Sequence, residues 1–233
     1  MTGDRDLRLK PRKENTRPKQ KDKVIVFSLE NIKQHFDESM MHIQQQFDVA
    51  QALIEAGNTT DAENVWRSQI VFLDSAFDFY LHELTKFGLE KIFTGDWGKT
   101  TKYNNLKVKI PYVERALDNP ENTEWFAEYA NDEFSRMPMM AYDAVKDQLN
   151  LLGINVQEVA NRAFYDQGST EKTKDKLKRR INELYNRRNL IAHQSDRLPH
   201  NAQREIIIKE IVNGFVDDIR KIVEAIHSVA LEK

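Results

Sequence analysis

The chain contains no cysteine. Disulfides, thiolate metal sites, iron–sulfur clusters and a cysteine nucleophile are therefore all excluded. Glycine and proline are sparse, eight and six among 233 residues, which argues against an all-β chain built on many tight turns. No apolar run approaches the roughly 18 residues that a membrane helix needs. The charged opening Met1-Thr2-Gly3-Asp4-Arg5 has no apolar core of the kind a secretory signal carries. Glycine-rich phosphate loops, His-Glu-x-x-His pairs and nucleophile elbows are missing as well, so no cofactor and no metal are expected. What is left is a mostly helical, cytoplasmic protein with no membrane association. With 40% hydrophobic and 31% charged residues, it has enough chain for one well-filled core plus an extension.

Charge is distributed unevenly. The net value is −2, yet residues 1–23 carry nine basic groups against Asp4, Asp6, Glu14 and Asp22. A second basic zone lies between Glu171 and Leu190, with eight Lys or Arg against three acids. Two basic zones on an acidic body suggest a surface that faces a polyanion, whereas a solvated helix face with a disordered tail would account for the same pattern more simply. Residues 1–23 lack a hydrophobic period and include Pro11 and Pro18. We read 1–27 as a flexible basic N-terminal arm, pinned by Val24-Ile25-Val26-Phe27, and 28–233 as the folded domain.

Helical periodicity dominates that domain. Ser28 is placed to cap a helix running to about Gly57, with Ile32, Phe36, Ile43, Phe47, Ala50 and Ile54 on one face. Thr60-Asp61-Ala62-Glu63 reads as a capping box opening the most apolar helix, through Trp66, Ile70, Leu73, Phe77, Leu81 and Phe87. Gly95 to Asn105 reads as a loop. Glu124 to Tyr129 reads as a short helix, Pro138 as the first turn of another that Gly153 ends, and Asn155 as a further cap. A basic helix is expected from about Thr170 to Ala192, and a last amphipathic helix from about Ala202 to Leu231. With no strand–helix alternation and no internal repeat, the expected fold class is all-α, a helical bundle.

The basic helix breaks its own pattern. Leu177, Ile181, Leu184 and Ile191 form a narrow apolar seam, and Arg188 falls inside it. A guanidinium there needs an anion, a polar partner or a subunit interface, unless its stem packs while its head reaches water. Asn189 and His193 are four apart and share a face, so their side chains can support one another. Arg188 and His193 lie roughly 140° apart on an ideal helix, and they converge only if the helix ends or bends near Ala192 or a second copy supplies the partner. Gln194 to Pro199 looks able to end it.

Arg188-Asn189-Leu190-Ile191-Ala192-His193 resembles the Arg-polar-x-x-x-His motif of the HEPN superfamily, all-α proteins that include many metal-independent endoribonucleases. Trp66 to Leu84 is similar to the opening helix of the RiboL-PSP-HEPN subgroup, and an apolar helix follows the motif as in that family, so the resemblance spans about 60–230. It implies a HEPN-like helical bundle that cleaves RNA without metal. His193 would act as general base, or base then acid, on an RNA 2′-hydroxyl. Arg188 would neutralise charge on the attacked phosphate, and Asn189 would orient His193 or donate to a phosphate oxygen. The products implied are a 2′,3′-cyclic phosphate and a 5′-hydroxyl, from a homodimer whose protomers bring their motifs together. A toxin or antiviral-defence effector is the role implied, with an antitoxin or defence-system protein as a further partner. One toxin subgroup carries a modifiable Tyr two residues after the motif His; Ser195 stands here, so that control is not expected. The competing expectation is a non-catalytic HEPN-like module for dimerisation or for binding nucleic acid or a partner.

Other groupings are weaker. Asp74, Asp78 and His82 recur at four-residue steps on the apolar helix. They suggest a metal or acid–base role, with Asp78 as a supporting contact near Arg188, or more simply a solvated stripe or a hydrogen-bonded helix–helix contact. His35, Glu38 and His42 share a face but make a poor metal set. Trp66, Trp97 and Trp125 suit core anchors better than base-stacking platforms. Lys178, Arg179, Arg180 and Arg187 could steer RNA toward the motif, with a Glu183–Arg187 surface ion pair as the plain alternative for Arg187.

Overall fold

A computed structural model describes residues 24–135 and 137–233; residues 1–23 of the proposed 1–27 arm lie outside them. Among the described residues there are nine helices and no strand, only an isolated antiparallel bridge between Arg197 and Arg204. The fold is all-α. No described helix is long and apolar enough to cross a membrane.

The first helix, α1 (Leu29–Glu55), starts where Ser28 Oγ accepts from the Asn31 amide at 3.2 Å, which satisfies one of the helix's orphan donors. Leu29, Ile32, Phe36, Met40, Ile43, Phe47 and Ala50 are its buried residues, a three–four spacing that turns one stripe inward. Gly57, at φ +80°, releases the chain. The second helix, α2 (Thr59–Thr94), has 36 residues and so runs about 54 Å. It starts earlier than the expected capping box. Asn58 stands at the cap without a side-chain bond, and Glu63 reaches forward to Arg67 instead of back to the backbone. Its buried residues occupy more than one stripe because α1, α5, α6, α8 and α9 all pack on it. Gly88 allows that: a Cβ there would sit 2.8 Å from both Leu152 and Trp97.

Beyond α2, the expected 95–105 loop contains one short helix, α3 (Thr101–Asn104), capped by Thr100. Pro111 lies in the first turn of α4 (Ile110–Asp118), and the Glu124 helix extends to Phe134 as α5 (Glu124–Phe134). Pro138 precedes α6 (Tyr142–Leu151) by four residues and is not in its first turn; the extended stretch Pro138–Met140 buries Met139 and Met140 instead. Asn155 caps α7 (Val156–Phe164), accepting from the amides of Gln157 and Glu158 at 2.9 and 3.2 Å.

The basic helix, α8 (Thr173–Gln194), buries Leu177, Ile181 and Leu184. The last helix, α9 (Lys209–Leu231), begins seven residues later than expected. Ala202 is left-handed (φ +56°) and Arg204 is paired with Arg197. The β-branched run Ile206-Ile207-Ile208 then stays out of the helix, and Ile208 itself is extended, in keeping with the stiffness of such side chains. The core is continuous from α1 through α9 and includes Trp66 and Trp97, with Trp125 packed against it.

Candidate functional site

Arg188 occupies the α8 position that follows Ile181 and Leu184 along the inward seam. Its side chain is about one quarter exposed, and Nε donates to Asp74 Oδ2 at 2.5 Å. Asp74 comes from the middle of α2 and is buried. The seam violation is thus resolved by a carboxylate on the neighbouring helix. Arg188 Nη1 donates to Asn189 Oδ1 at 2.9 Å, so two acceptors hold the guanidinium plane. Asp74 Oδ1 has no partner among the described residues. Burial pushes the Asp74 carboxyl up to about 6, against the pull of Arg188 and with Asp78 adding to the rise.

His193 lies in the last turn of α8 and is exposed; its ring meets no hydrogen-bond partner among the described residues. The expected support from Asn189 is replaced by the bond to Arg188, because the guanidinium is the stronger donor within reach. The helix runs two residues past Ala192 and ends at Gln194 with a left-handed Ser195, where the Gln194–Pro199 segment was expected to end it; Arg188 is bound to α2 and His193 is exposed. Both nevertheless border one open hollow of about 450 Å³, together with Asn189, Tyr185, Asn186 and Gln194, and with Pro138 and Pro199 at its margins. Arg188, Asn189 and His193 are therefore neighbours at one surface depression, with Arg188 anchored and His193 free.

The Asp74, Asp78 and His82 stripe serves helix contacts. Asp78 Oδ1 accepts from the Met139 amide at 3.3 Å, and its Oδ2 lies 3.3 Å from His82 Nε2. His35, Glu38 and His42 border a separate hollow of about 700 Å³ between α1 and α2, with Phe72 and Phe79 exposed at its edge. Among the described residues, no group of His, Asp and Glu is arranged to hold a metal ion.

The arginines of the basic zone of α8 are ion-paired. Arg179 bonds Glu171 and Glu183, and Arg180 bonds Glu183 and Asp218. The expected Glu183–Arg187 pair does not form. Arg187 turns inward to Asp196 at 3.0 Å, where burial lowers its affinity for the proton. Asp196 also accepts from Arg67 Nε of α2 at 2.6 Å. This cluster escaped the sequence reading. Arg67 and Arg187 carry the same sign, and the Asp196 that binds both lies beyond the end of α8, so helix spacing alone gave no signal for it.

No family model, curated protein or solved structure matches the chain. Chemically, the depression offers a fixed guanidinium suited to a phosphate, an amide beside it, and an unengaged imidazole suited to moving a proton.

Proposed function

We propose that this chain is a metal-independent endoribonuclease of the HEPN type. The observation that carries the reading is the guanidinium of Arg188, held by Asp74 and Asn189 at the border of an open hollow that an unengaged His193 shares. In the proposed reaction, the His193 imidazole takes the proton of an RNA 2′-hydroxyl. The 2′-oxygen attacks the adjacent phosphorus, and the bond to the 5′-oxygen breaks. That oxygen takes the proton back from the His193 imidazolium, which acts as base and then acid, and becomes a 5′-hydroxyl, leaving a 2′,3′-cyclic phosphate. Arg188 stabilises the charge that builds on the phosphate oxygens, with donors already aligned so that little reorganisation is needed. Asn189 fixes Arg188 rather than His193.

The resemblance of the Arg188–His193 segment, rather than the geometry, supports the independence from metal, the homodimer and the role as a toxin or antiviral-defence effector restrained by an antitoxin or defence partner. The test is cleavage of several RNA classes in excess EDTA, with end-group analysis. His193→Ala is expected to lower the rate by about 100–10,000-fold and Arg188→Ala by about 100–1,000-fold, with cyclic-phosphate ends from the wild type. A folded wild type that cleaves none of them sinks the enzyme reading and leaves a HEPN-like binding or dimerisation module.

A further inference from the structure

The motif segment is held by the Arg188–Asp74 contact and by the partly buried Tyr185 and Ile191, but Ala192 to Ser195, the turn that carries His193, are all exposed. From Tyr185 to Ser195 no residue is buried, although α8 continues to Gln194. Leu184 is the last core residue before the motif, and the next buried residue is Asp196, whose side chain is fully inaccessible. Asp196 stands three positions past His193. Its Oδ2 accepts from Arg67 Nε of α2 at 2.6 Å and from Arg187 of α8 at 3.0 Å. The same two guanidiniums donate to the Glu205 carbonyl, both at 3.3 Å, and Arg187 adds the Ile206 carbonyl at 3.0 Å. The Asp196 amide donates to the Leu190 carbonyl at 2.9 Å and its carbonyl accepts from the Glu205 amide at 2.8 Å. One residue thereby joins the end of α8, the body of α2 and the segment that leads into α9.

The backbone at this place is unfavourable by itself. Ser195, Asp196 and Ala202 have φ of +53°, +61° and +56°, the only non-glycine residues in the left-handed region among those described. Such conformations persist where surrounding contacts over-determine them. A buried carboxylate bound by two arginines supplies those contacts, because any conformation that withdraws it takes from Arg67 and Arg187 the acceptor they share. With Asp196 held, the last turn of α8 closes on Leu190 and the chain doubles back past Pro199, which borders the same hollow as His193.

We infer that Asp196, clamped between Arg67 and Arg187, is the positioning residue of the site: it fixes the otherwise unanchored turn that carries His193 and sets the direction from which the imidazole meets a substrate. This rests on the ribonuclease reading for its consequence in catalysis, but its structural content concerns His193 alone. Arg187 is then part of the framework and not a contact for RNA.

The test uses the full chain with carbon-13-labelled histidine and a synthetic single-stranded RNA of mixed sequence. Asp196→Asn keeps the size of the side chain and loses its charge; Arg67→Gln removes one of the two donors. In both folded variants the His193 ring resonance is expected to shift and broaden, and amide exchange at 191–195 to accelerate. The signals of His42, on α1, are expected to stay in place. Turnover is expected to fall by about 100-fold with KM nearly unchanged, as for a misplaced catalytic group. If Asp196→Asn does not fold, the Arg67→Gln/Asp196→Asn double variant restores the balance of buried charge and is read in its place. Unmoved His193 signals and unchanged exchange at 191–195 in a folded variant overturn the inference. If the wild type cleaves no RNA, the ribonuclease reading falls, and the His193 resonance and exchange data decide the role of Asp196 without it.

Discussion

At the scale of single residues, the decisive contact is a carboxylate held where carboxylates are costly. Asp74 is buried, has one idle oxygen, and titrates near 6 because desolvation outweighs the attraction of Arg188. A folded-state value raised from 3.8 to about 6 means the native protein holds this proton more tightly than the unfolded chain. The resulting stability is fully present below pH 3.8 and is lost as pH rises through 6. Asp74→Asn removes this dependence. Relative to wild type, the substitution is therefore expected to destabilise more at pH 3.5 than at pH 7.5, by on the order of 3 kcal/mol. Urea unfolding of both proteins at the two pH values reads this difference. Carboxyls held low by their partners, such as Glu171 beside Arg179 and Glu232 beside Arg162, push wild-type stability the other way. They act equally in both proteins and cancel in the comparison. A gap that does not change with pH means that Asp74 is not the strained member of the pair.

At the scale of helices, two glycines make opposite demands. Gly88 lies inside α2, and an added Cβ would stand 2.8 Å from Leu152 and Trp97, side chains that are themselves nearly inaccessible. Alanine gains about 1 kcal/mol of helix propensity but overpacks the site by about 1–3 kcal/mol, so Gly88→Ala is expected to lower the melting temperature. Gly214, on the exposed side of α9, has nothing within 4 Å of such a Cβ. Gly214→Ala keeps the propensity gain and is expected to stabilise by about 0.5–1 kcal/mol. Thermal unfolding of the pair checks both signs, and the same sign for both would mean that contact at Gly88 is not limiting. The helices themselves were largely legible in the chain because their stripes are periodic and several ends carry local punctuation, as at Ser28, Gly57, Gly153 and Asn155. The start of α9 was not. Nothing local at Ala202 says that its backbone will be left-handed, and the cause is distant: the Arg197–Arg204 pairing and the clamp on Asp196. The site shows the same division. Arg188 stood out because it broke an apolar period, and His193 through its spacing. Asp196 broke no pattern, since a buried acid after a helix end looks like an ordinary loop residue.

At the scale of the whole molecule, the proposed reaction requires a fixed guanidinium and a solvent-facing imidazole to act on one phosphate. The continuity of α8 through Gln194 keeps the two side chains roughly 140° apart around the helix. Arg188 is tied toward α2 by Asp74, so it cannot swing to meet His193 without leaving a buried carboxylate unpaired. The proposed two-fold dimer would offer one answer, because an isologous contact brings residue i of one protomer to residue j of the other, and the reverse; a substrate bridging the shared hollow of one protomer is the other. In that arrangement Arg188 of one copy works with His193 of its partner. Arg188→Ala and His193→Ala, each inactive by itself, then complement. A mixed dimer holds one site in which both residues are wild type and one in which both are lost. Random mixing makes half of the dimers mixed, so the recovered activity is expected to be about one quarter of the wild-type value, a figure set by the pairing symmetry of a closed dimer. Unfolding and refolding the two variants together, then measuring RNA cleavage against each variant refolded separately, gives the result. Recovery near that fraction requires composite sites. Activity no greater than that of the separate variants, in a preparation shown to contain mixed dimers, would mean that each protomer brings its own Arg188 and His193 to one substrate across the hollow they share.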